Sequence, residues 1–184
     1  MATTEHAVKQ TYEDYSRVPD DKRYELLNGE LMMVPAPNIR HQSILLTLGS
    51  ELRRFVREHE LGEVFVAPVD VVLSDNDVVQ PDVLFISRAR ADRITDENVR
   101  GAPDLVIEIL SPSTAARDLG YKHELYGKHG VLEYWIIDPV AETVAVHRQR
   151  DGKLERTGRF GRGERLTAAV LEGLALEHDD ILVR

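Results

Sequence analysis

The apolar run at residues 105–110, Leu-Val-Ile-Glu-Ile-Leu, constrains the fold more than any other part of the sequence. A short aliphatic run of this kind is typical of a strand that is buried on both faces of a sheet. A polar loop and a helical segment follow it, and then a second strand-like run at 133–137. Two strands joined by a helix predict a right-handed crossover between parallel neighbours, so the chain is expected to be an α/β protein.

Local signals predict the elements on either side of this unit. Asn28-Gly29 and Asp151-Gly152 are strong hairpin signals, and apolar residues spaced by three and four predict a long amphipathic helix that Gly62 ends. Asp118 is expected to cap the helix between the two central strands, and Gly130 to end it. The predicted elements are helices at 11–17, 38–58 and 118–129, and strands at 24–27, 30–34, 65–73, 78–86, 105–110, 133–137, 143–148 and 153–160. Together they predict a mixed β-sheet with helices beside it.

The composition predicts one globular domain over residues 1–184. Of these residues 42% are hydrophobic and 30% are charged, which excludes disordered and fibrous classes. The sequence contains no cysteine, which excludes disulfides, thiolate zinc sites and cysteine nucleophiles. No apolar run is long enough to span a bilayer, and the first residues lack the pattern of a secretory signal. The protein is therefore expected to be cytoplasmic, without a membrane partner.

The charge balance limits how the protein could bind phosphate. Lys and Arg number 23 against 32 Asp and Glu, a formal net charge of −9. Such a surface repels nucleic acid on average, although net charge does not describe any single groove. Any site for a phosphate group must be locally basic or assisted by a metal.

Glu108 is the most informative candidate for a functional residue. Burying an ionised carboxylate in an apolar strand costs several kcal/mol unless it is paired, protonated or bound to a metal. A structural partner and a metal ion are both open explanations. Asp82 follows Pro81 where the strand up to Ile86 enters the core, and it could supply a second carboxylate. Pro-Asp pairs are also common at ordinary strand entrances.

Asp104 is excluded as the partner of Glu108 by its distance along the strand. It also follows a proline and shares a face with Glu108. Four residues of strand span about 13 Å, however, and metal–oxygen distances are near 2.0–2.5 Å. The partner of Glu108 must come from another strand, as Asp82 could.

A series of motifs accompanies these carboxylates and resembles a known family. In chain order they are Tyr24-Glu25-Leu26-Leu27-Asn28-Gly29-Glu30, Pro81-Asp82, Asp104-Leu105-Val106-Ile107-Glu108-Ile109-Leu110, Ser111-Pro112-Ser113-Thr114, Lys122, Tyr126, Gly130-Val131 and Glu133-Tyr134-Trp135-Ile136-Ile137-Asp138-Pro139. In this combination the sequence resembles the Uma-two family of "putative restriction endonucleases", within the PD-(D/E)XK nuclease superfamily. The resemblance implies a restriction-endonuclease-like α/β fold, a mixed β-sheet flanked by helices.

The resemblance also implies a divalent-metal site. Asp82 and Glu108 would hold Mg²⁺ or Mn²⁺, with the backbone carbonyl of Ile109 as a further ligand. Oxygen ligands of this kind are those that hard cations prefer. Glu25 matches the acidic residue of the family's first hairpin and would bind the metal or orient the attacking water. The alternative for Glu25 is an exposed glutamate of a surface strand.

The lysine of the site departs from the superfamily's general pattern. Leu110 stands where that pattern has a lysine, two residues after the glutamate. The resemblance implies that Lys122, from the following helix, takes its place. Leu119, Lys122 and Tyr126 are spaced along one helix face, which would turn Lys122 inward, whereas Lys128 faces elsewhere. A solvated helical lysine is the alternative.

Four other polar residues lie close to these motifs. His41 shares a helix face with three leucines and could contact phosphate or water, although a core or capping histidine is the commoner outcome. For Gln80, Ser111 and Tyr126 a structural role is favoured over a role beside the metal site.

The expected function is metal-dependent hydrolysis of DNA phosphodiester bonds by an endonuclease. Duplex cleavage requires two cuts, which favours a homodimer because twofold symmetry is the commonest arrangement. Two alternatives remain open. One is a binding module that has kept the nuclease fold without activity, which Leu110 and the negative net charge favour. The other is a hydrolase for another phosphodiester such as RNA.

Overall fold

The computed structural model describes residues 9–19 and 22–182. Its α-helices are α1 (Tyr12–Tyr15), α2 (Ile39–Glu58), α3 (Ala115–Leu119), α4 (Tyr121–His129) and α5 (His178–Leu182). Its strands are β1 (Tyr24–Leu27), β2 (Glu30–Met33), β3 (Gly62–Val66), β4 (Val71–Ser74), β5 (Asp77–Val79), β6 (Val83–Ser87), β7 (Val99–Arg100), β8 (Leu105–Ile109), β9 (Glu133–Asp138), β10 (Thr143–Arg150), β11 (Lys153–Phe160), β12 (Arg165–Thr167) and β13 (Ala175–Glu177). A 3-10 helix covers Arg88–Arg93.

A six-stranded mixed sheet forms the centre of the molecule, in the order β11-β10-β9-β8-β6-β3. The predicted pair of parallel strands is β8 and β9, with Ile107 opposite Trp135. The neighbouring pairs are antiparallel. The prediction of an α/β fold with a mixed sheet flanked by helices is thereby confirmed. A second sheet has the order β2-β1-β5-β4-β7, and β12 pairs with β13.

The central sheet is covered on both faces, as the aliphatic residues of β8 predict. Leu105, Ile107 and Ile109 face the apolar side of α2 and the C-terminal elements. Val106 points to the opposite face, where residues of α4 and of the five-stranded sheet pack. Side chains alternate along a strand, so Glu108 shares the face of Val106. The strand therefore directs its carboxylate into the layer that contains α4.

The two long strands predicted around residues 74–77 are each divided in the structure. A turn at residues 75–76 joins β4 to β5, which lie in the five-stranded sheet, whereas β3 and β6 lie in the central one. The prediction of continuous strands at 65–73 and 78–86 is wrong. The chain passes between sheets at Pro68 and Pro81, and proline lacks the N–H that a central ladder requires. This crossing places residues 80–82 between the two sheets.

The helix boundaries also differ from the prediction. Helix α2 ends at Glu58, the predicted last residue, but Gly62 begins β3 and does not itself end the helix. The helical segment before Gly130 is interrupted at Gly120, so Asp118 lies within α3 and is not a cap. Gly130 does end α4, in the left-handed conformation that glycine adopts without strain. Leu119 is 55% exposed, contrary to its predicted inward face.

The hairpins β1–β2 and β10–β11 form as the two turn signals predict. The helix predicted at 11–17 is present as α1. Within residues 9–19 and 22–182, no helix has the length and apolar character needed to cross a membrane.

Candidate active site

Lys122 lies at the centre of a buried cluster of charged groups. Its Nζ is 2.8 Å from Glu25 Oε1, 2.9 Å from Glu108 Oε1 and 3.3 Å from Asp118 Oδ1. The lysine side chain is 5% exposed, and those of the three carboxylates are 3–4% exposed. Burial alone lowers the pKa of Lys122, but Glu108, Glu25 and Asp118 together raise it well above its usual value. The lysine is therefore charged, and the prediction that it points inward is confirmed.

Glu108 receives a second donor from the same helix. The Tyr126 hydroxyl donates to Glu108 Oε1 at 2.7 Å, the atom that Lys122 also contacts. Burial raises the pKa of Glu108 well above its usual value, since the opposing effect of Lys122 is offset by Asp118, Asp82 and Glu25. Burial likewise raises the pKa of Asp118. The cluster thus holds more carboxylates than one ammonium group neutralises.

Asp82 is placed beside Glu108 by strand register. Val83 pairs with Ile107, so Asp82 is opposite Glu108 where the ladder ends. Asp82 Oδ2 accepts a hydrogen bond from the Ile109 backbone N–H at 2.7 Å. The same oxygen lies 3.2 Å from His41 Nε2. The aspartate is thereby fixed on one side by the strand that carries Glu108 and on the other by α2.

The carbonyl of Ile109 is available for a ligand because of the residue that faces it. Leu110 N donates to Ile137 O on β9. The N–H and C=O of Ile109 therefore point to the opposite side of the strand, toward β6. The residue opposite in that direction is Pro81, which has no N–H to donate. The amide of Ile109 bonds instead to Asp82, and its carbonyl oxygen lies at the same edge of the strand as the two carboxylates.

Glu25 enters the cluster from the other sheet. It is 3% exposed, so the alternative of an exposed strand glutamate is wrong. Glu25 Oε1 contacts Lys122 and also accepts the backbone N–H of Gln80 at 2.9 Å. Gln80 therefore joins the first hairpin to the Pro81-Asp82 segment, which gives it a structural role beside the cluster.

These groups line a cleft of about 180 Å³ between the two sheets. The residues that line it include Arg23, Glu25, His41, Gln80, Asp82, Glu108, Ile109, Ser111, Asp118 and Lys122. Asp82 is the most accessible of the charged side chains already described, with 14% of its side chain exposed, against 5% for Lys122. A small polar ligand that enters the cleft would meet Asp82 before it meets the lysine.

The donor set of the cleft suits a hard divalent cation. Across residues 9–19 and 22–182, no group of three or more His, Asp and Glu side chains has metal-ligating geometry. The oxygen ligands that the cleft offers are the carboxylates of Asp82 and Glu108 and the carbonyl of Ile109. Mg²⁺ is commonly held by one or two carboxylates together with water and phosphate oxygens. The excess of carboxylates over Lys122 also favours an added positive charge.

Two residues considered in the sequence analysis lie outside the cluster, and two others lie within it in roles that were not predicted. Lys128 is exposed on the far side of α4, and Asp104 accepts the Ser87 N–H near Arg90. Asp118 was not predicted as a member of the cluster, because the sequence pattern assigned it to a helix cap. Its spacing of four residues from Lys122 was the signal for this contact. Tyr126 contacts the central carboxylate directly, so its role is closer to the site than expected.

Comparisons with known proteins agree on the fold. A family model described as "Uma2: Putative restriction endonuclease" matches residues 10–179. A solved structure of a "putative nuclease belonging to DUF820" from Anabaena variabilis superposes with a TM-score of 0.79, at 22% sequence identity, over 94% of this chain and 97% of that one. A search of curated proteins finds no match.

Proposed function

Because the chain belongs to the Uma2 family, described as putative restriction endonucleases, we propose that it is a metal-dependent endonuclease that hydrolyses DNA phosphodiester bonds. The observation that carries this proposal is the buried contact of Lys122 with Glu25 and Glu108, beside Asp82 at the end of the β6–β8 ladder. A structural ion pair needs one carboxylate for one lysine. Here three carboxylates surround one lysine, and a bound cation would neutralise the excess negative charge and supply metal-assisted phosphoryl chemistry.

In this proposal Asp82, Glu108 and the carbonyl of Ile109 hold Mg²⁺ or Mn²⁺. When bound, the cation lowers the pKa of a coordinated water and neutralises charge on the phosphate oxygens. His41 and the Ile109 N–H hold Asp82 in orientation through its Oδ2 atom. Tyr126 holds Glu108 through Oε1. Pre-orientation of this kind means that the ligands need little rearrangement when the substrate arrives.

In the same proposal, Lys122 and Glu25 interact with the attacking water and the phosphate. The Lys122 ammonium can donate to the attacking water or to a phosphate oxygen, where it stabilises the charge of the transition state. Glu25 and Asp118 fix the position of the ammonium group. Glu25 is also within reach of a water beside Lys122 and can orient it. Water adds to phosphorus as the bond to the leaving sugar oxygen breaks, and no covalent enzyme intermediate forms.

The test is cleavage of supercoiled, linear and single-stranded DNA with Mg²⁺, Mn²⁺ or EDTA. Wild type should nick or cut in either metal and not in EDTA, whereas Glu108→Gln should lose at least about a hundredfold in rate. Glu133→Gln is the matched control. Glu133 is also a fully buried strand glutamate, but it bonds Trp135 and the backbone of Ala169, away from the cleft. Circular dichroism checks that each variant is folded.

The same assay with RNA as an additional substrate, together with melting temperatures measured with and without metal, decides between the alternatives. If DNA and RNA both stay intact while the wild-type melting temperature rises with metal, the chain is a binding module with a metal site and the nuclease proposal is wrong. If RNA alone is cut, the substrate class is wrong. Cleavage of both strands of a duplex by a species that elutes as a dimer would support the proposed homodimer.

A further inference from the structure

A second and larger cavity adjoins the cleft, and its walls are of a different kind. It encloses about 620 Å³, within the range of about 300–1,000 Å³ typical of small-molecule sites. Three tyrosines line it, Tyr12 and Tyr15 from α1 and Tyr24 from β1, together with Asp70. Arg23 and Gln80 line both this cavity and the cleft of the carboxylates. The two cavities therefore share a wall.

The aromatic rings are held in place by their hydroxyl groups. Tyr15 donates to Asp70 Oδ1 at 2.8 Å, and Asn98 Nδ2 donates to the Tyr12 hydroxyl at 2.8 Å. The two ring planes are inclined by 26° with centroids 6.4 Å apart. The Arg100 guanidinium carbon lies 5.1 Å from the centroid of Tyr12. Rings that are fixed before a ligand arrives bind planar groups at a low entropic cost.

The wall that the two cavities share carries a guanidinium group. Gln80 Nε2 donates to Asp70 Oδ1 at 2.8 Å, and Arg23 Nε donates to Gln80 Oε1 at 3.1 Å. Arg23 thus lies at the boundary with the cleft, where a guanidinium can bind a phosphate. Asp70 lines this cavity and not the cleft. Its carboxylate repels phosphate but can accept hydrogen bonds from the amino edge of a base. A nucleotide would place its phosphate toward the cleft and its base among the tyrosines.

We infer that this cavity receives one unpaired nucleobase of the substrate strand, next to the phosphodiester in the cleft. The inference rests on the proposed nuclease function and extends it to a substrate class: DNA with an extrahelical or single-stranded nucleotide beside the cleaved bond. A base that is paired and stacked inside a duplex cannot reach into a side cavity, so it must leave the duplex first. The energy needed for that step is smallest where the base is already unpaired.

Fluorescence anisotropy of the full chain in EDTA tests this inference without cleavage. The probes are a labelled 20-base-pair duplex and the same duplex with one additional, unpaired nucleotide. Stacking of one base on an aromatic side chain corresponds to about a 5- to 150-fold difference in affinity. We expect the duplex with the unpaired nucleotide to bind more tightly by a factor in this range, and Tyr12→Leu to abolish the difference.

Two further variants make the result specific. Ser16→Trp adds bulk at the wall of the cavity without removing a tyrosine, and it should abolish the preference too. Phe160→Leu, on the edge strand β11, is the matched aromatic control and should retain it. Equal affinity for the two duplexes, or a preference that survives both cavity variants, overturns the inference.

Cleavage assays separate this outcome from failure of the proposed function. If the paired duplex is cut in Mg²⁺ or Mn²⁺ while binding shows no preference, only the inference about the cavity is wrong. If the preference is present but no DNA is cut, the cavity binds an unpaired base and the nuclease proposal is wrong.

Discussion

Replacing Lys122 with methionine should destabilise the fold, because three buried carboxylates share its ammonium group. Nζ lies 2.8 Å from Glu25, 2.9 Å from Glu108 and 3.3 Å from Asp118, with 5% of the lysine side chain exposed. Methionine preserves most of the length and the apolar stem of the side chain. The substitution therefore changes the charge of the cluster far more than its packing.

The expected cost follows from the burial of these groups. Removing one partner of a buried ion pair destabilises a protein by about 3–5 kcal/mol. For a domain of this length, each kcal/mol lowers the melting temperature by about 2–4 °C, which gives a fall of about 6–20 °C at neutral pH in EDTA. Metal should restore part of this loss, since a bound cation supplies the missing positive charge.

The cost should also decrease as the pH falls. Burial and the neighbouring carboxylates already raise the pKa of Glu108, and loss of Lys122 raises that pKa further. A carboxyl group with a higher pKa in the folded state stabilises the fold below its unfolded pKa. That contribution is lost as the pH rises through the folded pKa. The melting temperatures of Lys122→Met and wild type should therefore converge from neutral toward acidic pH.

Thermal melting followed by circular dichroism between pH 4.5 and 8 measures both effects. Lys128→Met is the control, because Lys128 is exposed on the same helix and should change the melting temperature little. The double variant Lys122→Met with Glu108→Gln should be less destabilised than Lys122→Met alone, since one orphaned charge is removed. A Lys122→Met protein that melts like Lys128→Met, or a deficit that is equal at every pH, would contradict this account of the cluster.

Two other predictions concern the carboxylates of the cluster, and a third concerns His147. Millimolar Mn²⁺ or Mg²⁺ should raise the melting temperature of wild type and not of Asp82→Asn or Glu108→Gln; an equal rise in all three would exclude these carboxylates as ligands. Tyr126→Phe should lower the free energy of unfolding in urea by about 1.5–3 kcal/mol, the contribution of a hydrogen bond to a charged group. The reason is that the Tyr126 hydroxyl donates to buried Glu108 at 2.7 Å. A loss near zero would mean that Glu108 does not depend on this donor. Burial and the neighbouring His123 lower the pKa of His147 to about 4. In the unfolded chain this histidine binds a proton below about pH 6.5, whereas in the folded chain it does so only near pH 4. Stability should thus fall as the pH drops through this interval, and His147→Gln should reduce the fall in a comparison of melting temperatures at pH 7 and 4.5.

Local sequence patterns were sufficient for the central elements of the fold. The aliphatic run of β8, the Asn28-Gly29 turn and the spacing of apolar residues along α2 each determine a local conformation through neighbours close in the chain. A carboxylate within such a run indicates a buried charge that needs compensation. Together with the resemblance, this made Glu108, Asp82 and Lys122 candidates before any contact was known.

Local patterns did not predict that each of the two strands between Phe65 and Ile86 is divided between the sheets. Residues 65–73 and 78–86 have the apolar pattern of strands, and the sequence predicts two continuous strands from them. Pro68 and Pro81 mark the points where the chain changes sheets, but proline also occurs in edge strands and bulges. Which sheet each half joins depends on partners such as β8 for β6 and β1 for β5, and these are distant in the chain.

The sequence by itself determined which residues carry charge into the core, and the tertiary structure decided how those charges are compensated. Glu25 and the amide of Gln80 are separated by 55 residues and meet only because the first hairpin packs against the crossing between the sheets. Asp118 reaches the same ammonium group from a separate short helix, four residues before Lys122 and across the break at Gly120. Periodicity describes one element at a time, whereas the energy of a buried charge depends on groups that several elements bring within about 3–4 Å. The shared environment of these carboxylates is for that reason a property of the assembled fold.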